Sequence, residues 1–264
     1  MKNSKKANVA IIGGTGFEKL LRDFRTFRLG TPYGISPPLF IGKTRGKDTI
    51  FLPRHRMTHS VPPHKIDYRT NIYALHKAGV KRIIATNAVG AINPSFSPGN
   101  LVIPHDFVDF TKLRSTTFYD EAPVTHVDLS EPYCPEIRRL FSEKAKTLGL
   151  KVLDEAVLVC TEGPRYETPA EIIMFRHLGF DVVGMTGVPE VVLARELGIC
   201  YASVCCVSNM AAGMQERLTA SEVSKVLEII SSELEQALIL CIENLPMERN
   251  CRCRDALRDA RLEK

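Results

Sequence analysis

The chain has 264 residues, 44% of them hydrophobic and 25% charged, a globular balance that excludes a disordered or collagen-like polymer. Lysine and arginine outnumber aspartate and glutamate by 35 to 30. The excess is spread along the chain, and its one basic cluster, Lys2, Lys5 and Lys6, is too short for a nucleic-acid arm; an anionic small substrate suits the balance equally well.

No run of about 18 apolar residues exists to span a membrane. The N-terminus turns into glycines before a signal peptide's apolar core could form, so a cytoplasmic protein is expected. Eight cysteines are too dilute for a secreted disulfide scaffold. No C-x-x-C occurs, and Cys251-Arg252-Cys253 has no second pair at zinc-ribbon spacing. No structural metal site is therefore expected.

In chain order, short continuous apolar runs predict strands at Val9–Ile12, Thr49–Leu52, Arg82–Ala85, Leu101–Ile103, Ala156–Cys160, Asp181–Met185 and Cys200–Val207. Such runs suit strands buried on both faces. Helices are expected between them. Cys134-Pro135-Glu136 opens one, closed by Gly149. Thr168-Pro169-Ala170-Glu171 is a capping box, and Gly179 ends its helix. Val188-Pro189-Glu190 opens another, closed by Gly198. Thr219 and Glu222 cap the longest, whose apolar stripe runs through Val223, Leu227, Ile230, Leu234, Leu238 and Cys241. Strands interleaved with helices predict one α/β domain around a mixed sheet. Residues 31–38 and 53–64 are proline-rich loops, and the charged residues 247–264 are expected at the periphery.

Six segments carry possible chemistry. Ile11-Ile12-Gly13-Gly14-Thr15-Gly16 suits a loop whose N–H groups approach an anion. A tight turn explains it equally well, and the dinucleotide fingerprint fails because Lys19 stands at its last glycine. Arg54, in Pro53-Arg54-His55-Arg56, could fork two donors onto a phosphate; a solvated charge after a strand is the plainer account. His59 and His64 make no metal spacing. Thr86-Asn87-Ala88-Val89-Gly90-Ala91 is read as a loop at a strand's carboxyl end, where open α/β sheets bind ligands. Thr161 to Thr168 holds Tyr166 and two carboxylates before a capped helix. Gly184-Met185-Thr186-Gly187-Val188-Pro189-Glu190 is another anion-friendly helix start. Val207-Ser208-Asn209-Met210-Ala211 ends a buried strand in an amide. Together they suit a phosphate beside a polar heterocycle. There is no Cys–His pair, serine elbow, Walker lysine or metal cluster.

The ordered set IIGGTG, PRHR, TNAVGA, EGPRYET, GMTGVPE and SNMA resembles the trimeric purine nucleoside phosphorylases, in register from about residue 8 to 245. The nearer branch looks like the 5′-methylthioadenosine phosphorylases. The resemblance implies one α/β domain around a distorted mixed sheet flanked by helices, a trimer or dimer of trimers, and no cofactor. It also implies phosphorolysis, in which inorganic phosphate, a co-substrate, attacks C1′ and the purine leaves. Phosphate is the nucleophile, so the protein's task is positioning and stabilising charge.

By motif, the resemblance places Thr15, Arg54, His55, Asn87, Ala88 and Thr186 around phosphate. It places Met185 beneath the sugar, and Tyr166, Glu167, Asn209 and Ala211 at the base. His126 matches a histidine that reaches the 5′ end of the nucleoside in the neighbouring subunit. Thr186, Glu167 and Asn209 carry the catalytic roles. The methylthioadenosine branch has aspartates where this chain has Asn209 and Ala211, and a small polar residue at Glu167. Asn209 and Glu167 instead match enzymes of 6-oxopurines. Hypoxanthine and guanine carry a hydrogen on N1 that a carboxylate accepts, whereas adenine presents a lone pair there. Leaving a buried group unsatisfied costs roughly 1–3 kcal/mol, more if it is charged. Val223 replaces a histidine near the 5′-hydroxyl, which would tolerate a methylthio group; plain helix core explains it equally well.

The expected activity is thus phosphorolysis of inosine, guanosine or 5′-methylthioinosine, with a methylthioadenosine phosphorylase as the alternative. A nucleotide-binding module without catalysis would not need Arg54, Thr186 and Asn209 together, and a nucleic-acid binder would need aromatics on a basic face. The resemblance further suggests disulfides Cys134–Cys200 and Cys251–Cys253, as heat-adapted relatives use. Free buried thiols are the other reading.

Overall fold

The computed structural model describes residues 6–14, 17–217 and 219–261. Its strands are β1 (Val9–Gly13), β2 (Arg22–Phe27), β3 (Gly30–Thr31), β4 (Gly34–Ile35), β5 (Leu39–Thr44), β6 (Lys47–Pro53) and β7 (Arg82–Ala91). They continue with β8 (Leu101–Val102), β9 (Asp106–Phe110), β10 (Val152–Leu153), β11 (Val157–Thr161), β12 (Val182–Gly184) and β13 (Cys200–Met210). The helices are α1 (Tyr68–Lys77), α2 (Pro135–Thr147), α3 (Pro169–His177), α4 (Gly187–Glu196) and α5 (Ala220–Asn244). None is long and apolar enough to cross a membrane.

Every run predicted as a strand contains one. β1, β6, β7 and β13 form the parallel centre of a mixed, eleven-stranded sheet. Their side chains are buried almost throughout, as continuous apolar strands require. β5 and β2 extend the β6 edge antiparallel. β2, with the sequence RDFRTF, is largely exposed, and its charges suit an edge that must not recruit another chain. The same charges hide it from an apolar-run search.

Thr168 and Thr219 both complete capping boxes, with Glu171 and Glu222. α4 becomes regular only at Pro189, because Val188 is extended at φ −114°, ψ 133°. α2 and the second half of α5 pack together on one face, through Ile137, Phe141, Leu234, Leu238 and Cys241. α1 and α4 cover the other, with Ile72, Leu75, Val191 and Leu193.

Three expectations are corrected. TNAVGA is not a loop: β7 runs through it to Ala91, because β13 pairs with it over that whole length. The charged C-terminal segment is not peripheral: Cys251, Cys253, Ala256 and Ala260 are buried, the small apolar residues turning inward while the charges stay in water. Finally, all eight cysteines are free thiols, and Cys134, Cys200, Cys251 and Cys253 gather in one cluster rather than in two separate pairs.

Phe141 is fully buried between α2 and the sheet. Phe141→Ala should cost about 3–5 kcal/mol through lost burial and a residual cavity, read as a lower urea midpoint at unchanged slope. An unchanged midpoint would show that this face is not core.

Candidate active site

The site arises from how β7 shares its edge. β1 pairs with β7 only as far as Ile12↔Ala85. β12 then joins antiparallel at Val183↔Gly90 and Val182↔Ala91. Between them, residues 86 to 89 have no strand partner on that side among the described residues. A cleft of about 800 Å³ opens there. Gly13 lets the end of β1 pack closely against Thr86, since a Cβ at that position would lie 2.7 Å from Thr86 Oγ1.

Eleven of the thirteen residues proposed from sequence line this cleft: Arg54, His55, Asn87, Ala88, Tyr166, Glu167, Met185, Thr186, Asn209, Ala211 and Val223. Thr15 lies outside the described residues. His126 does not line the cleft; it is exposed, and its N–H donates to Ala260 O at 2.8 Å.

Arg54 follows β6 and is only 4% exposed. Its Nε and Nη2 donate to Glu190 Oε1 and Oε2 at 2.6 and 2.9 Å, and Nη1 donates to Thr86 O at 2.7 Å. Tyr201 O–H completes the group on Glu190 Oε2 at 2.8 Å. Burial opposes the Arg54 charge, but the Glu190 carboxylate outweighs it and raises the guanidinium's pKa. Glu190 occupies the Nε/Nη2 edge and Thr86 O one Nη1 hydrogen, so one hydrogen on each Nη is left for an anion in the cleft. The sequence reading missed Glu190 as a partner because it stands 136 residues from Arg54.

His55 Nδ1 lies 2.8 Å from Val61 O, so Nδ1 carries the proton and Nε2 the lone pair of the neutral ring. Its ring stacks on His59 with centroids 4.5 Å apart. Burial, with Arg54 alongside, pushes its pKa down to about 4. Across the cleft, Thr186 Oγ1 donates to Asn87 Oδ1 at 2.7 Å, and Asn87 Nδ2 donates to Ser203 Oγ at 2.6 Å. This chain of bonds fixes Thr186 with its lone pairs unspent.

At the other end, Thr161 Oγ1 donates to Glu167 Oε1 at 2.7 Å. Asn209 Oδ1 accepts from Ser208 Oγ at 2.7 Å, and its Nδ2 donates to Met210 O at 2.8 Å. The amide therefore keeps one N–H and one lone pair for a ligand. Met185 packs against Gly163, where φ is +63° and a Cβ would lie 2.7 Å from Met185 Sδ. Arg114, absent from the sequence reading, anchors this loop. It bonds Glu162 Oε1 at 3.0 Å, the carbonyls of Thr161, Glu162 and Val188 at 3.2, 2.7 and 2.6 Å, and stacks on Tyr68. Val223 is half-buried at the cleft's edge on α5, near Leu227.

Two measurements check this electrostatic frame. Glu190→Gln should leave Arg54 buried without its counter-charge, lowering stability by about 3–5 kcal/mol and raising any anion KM; an unchanged melting temperature would contradict it. For His55, the unfolded ring titrates near 6.5 and the folded ring near 4. Between those values the unfolded chain binds the extra proton, so stability is present above pH 6.5 and lost as pH falls toward 4, by as much as about 3 kcal/mol. His55→Gln should flatten that part of the stability–pH curve.

The chain matches the family model described as the phosphorylase superfamily over residues 8–243. It is 49% identical over 256 residues to a probable S-methyl-5′-thioinosine phosphorylase of Methanothermobacter thermautotrophicus, covering 96% of this chain and 89% of that one. It is 48% identical over 261 residues to the 6-oxopurine nucleoside phosphorylase of Pyrococcus furiosus, covering 96% and 98%. Among solved structures, a methylthioadenosine phosphorylase from an antarctic soil metagenomic library superposes with a TM-score of 0.93 at 31% identity, covering 98% of this chain and 93% of that one. With nearly the whole chain spanned in sequence and in space, the protein belongs to the phosphorylase superfamily and to its nucleoside phosphorylases.

Proposed function

We propose that this protein cleaves 6-oxopurine nucleosides with inorganic phosphate, releasing the free base and ribose 1-phosphate or its 5-methylthio analogue. The observation that carries this is the base end of the cleft. Glu167 has one oxygen held by Thr161, which leaves the other to accept the N1 hydrogen of hypoxanthine or guanine. Asn209 has one N–H for O6 and one lone pair for the N7 hydrogen acquired as the base departs.

At the opposite end, Arg54, Thr186, His55 and the backbone of Asn87 and Ala88 surround phosphate, with Thr15 completing the set. Neutral His55 accepts from a phosphate hydroxyl through Nε2. Arg54 and Glu190 compensate each other in charge, so the dianion is held mainly by oriented donors. Phosphate oxygen forms the new bond to C1′ while the C1′–N9 bond breaks and its electron pair goes to the purine. The Asn209 N–H aimed at O6 stabilises that charge as it develops, and its Oδ1 accepts the N7 hydrogen. The reaction needs no cofactor.

The 5′ group meets Val223, and His126 of a second subunit covers it in a trimer or dimer of trimers acting in the cytoplasm. The apolar Val223 favours a second reading in which 5′-methylthio substrates are preferred. A relative from Pyrococcus furiosus, 43% identical, is named S-methyl-5′-thioadenosine phosphorylase, so adenine release is the competing outcome.

Phosphorolysis rates on inosine, guanosine, adenosine, 5′-methylthioinosine and 5′-methylthioadenosine separate these outcomes. A carboxylate facing adenine N1 costs about 3 kcal/mol, so the 6-oxo substrate should lead its 6-amino counterpart by about 100-fold at matched 5′ groups. Glu167→Ser should erode that ratio chiefly by lowering the 6-oxo rate. Adding Asn209→Asp should begin to favour adenine, non-additively because both residues touch one ring. Equal rates on inosine and adenosine would defeat the base assignment while leaving phosphorolysis standing.

A further inference from the structure

Four cysteines from three distant parts of the chain meet at one point. Cys134 is the N-cap of α2, Cys200 opens β13, and Cys251 and Cys253 flank Arg252 at a short 3₁₀ turn. Their Sγ atoms all lie within 4.8 Å of one another, and those of Cys200 and Cys251 are 3.3 Å apart. Cys134 and Cys200 are fully buried, with Cys251 and Cys253 exposed by only 7% and 2%. None of the four lines the cleft.

We propose that these cysteines form a structural tetrathiolate site for one divalent cation of zinc type. Zinc–sulfur bonds of about 2.3 Å in a tetrahedron set sulfur–sulfur edges of about 3.8 Å, which small side-chain rotations reach from the observed cluster. An all-sulfur donor set selects zinc over calcium or magnesium, which take oxygen ligands. Four protein ligands close the coordination sphere, as structural rather than catalytic zinc sites do. The cation displaces four thiol protons to solvent and leaves a centre of charge −2. Arg249, whose Nη1 lies 3.9 Å from Cys200 Sγ, and the positive N-terminal end of α2 at Cys134 offset that charge. Cys134 makes no other capping bond.

Spacing along the chain argued against a metal site because it tests only neighbouring ligands. Here three of the four ligand positions are separated by more than 50 residues, and the sheet brings them together. The site would staple the C-terminal segment to α2 and to the start of β13, away from the reaction.

The full-length protein, expressed with zinc in the medium and purified anaerobically without chelator, provides the test. Elemental analysis should find one zinc per chain. Cobalt(II) exchanged into the unsubstituted protein should show thiolate charge-transfer and the visible bands of tetrahedral cobalt. A mercurial reagent should release zinc as the four thiols react. Cys253→Ser should abolish tight zinc retention, whereas Cys241→Ser, a buried cysteine outside the cluster, should keep one equivalent. The cobalt spectrum decides the matter even if Cys253→Ser fails to fold. Two disulfides in the intact mass of anaerobically handled protein, or four thiols titrating freely with no bound metal, would overturn the proposal.

Discussion

β7 cannot keep one partner along its first edge. It begins beside β1 and ends beside β12, which runs the other way, while β13 supports its second edge throughout. A sheet that changes partners must open between them, and the opening exposes backbone groups that a continuous ladder would have consumed. Only alternate residues between 86 and 89 present those groups to the opening, because the others face β13. Asn87 and Ala88 are placed there because the strand continues under β13 rather than turning away as a loop. The rest of the cleft gathers around this break: β6 delivers Arg54, the approach to α4 delivers Thr186, the turn before α3 delivers Glu167, and the end of β13 delivers Asn209.

The buried Arg54–Glu190–Tyr201 group holds the β6 end of the cleft in place. A guanidinium this deeply buried is tolerable only when paired, and Glu190 provides the pair from the first turn of α4. Arg54 is also tied through its own N–H to Gly13 O at 2.9 Å and through Nη1 to Thr86 O at 2.7 Å. One residue, through its backbone and its side chain, therefore fixes the relative positions of β1, β6, β7 and α4. The opposite end has a comparable fastening in Arg114, which binds the carbonyls of Thr161 and Glu162 beside the bend that carries Tyr166 and Glu167. Arg114 places its charge behind the site, while Arg54, which lines the cleft, has its charge compensated by buried Glu190. The cleft wall then presents hydroxyls, amides and single donors, a surface suited to distinguishing donors from acceptors on a heterocycle.

The C-terminal segment shows how composition can mislead about burial. Residues 247–261 are rich in charge, yet their cysteines and alanines turn into the molecule while Arg252, Arg254 and Arg258 project outward. Arg249 and Arg254 illustrate the division. Arg249 reaches inward to Gly198 O at 2.7 Å, whereas Arg254 pairs with Asp255 at the surface. Segments of this kind are held by a few specific anchors, and here the anchors coincide with the cysteine cluster.

Local chemistry in the sequence was enough for seven of the strands, for helices α2 to α5 and for most of the residues that line the cleft. Apolar runs mark β1, β6, β7 and β13 because burial on both faces demands them. Thr168 with Glu171 and Thr219 with Glu222 mark helix starts because their bonds close within four residues. The motifs around Arg54, Thr186 and Asn209 sit at strand ends, where ligands collect, whereas Asn87 lies inside β7. The edge strand β2 escaped because its charged face carries no apolar signal. Only the tertiary structure decided which donors remain after internal bonding: Glu190 takes the fork of Arg54 from 136 residues away, and Ser208 and Met210 each take half of Asn209. It alone brought Cys134 and Cys200 to the C-terminal pair. The physical reason is the same throughout. A residue's type and its near neighbours determine which bonds it can make, but pairing across a folded sheet determines which it has already made.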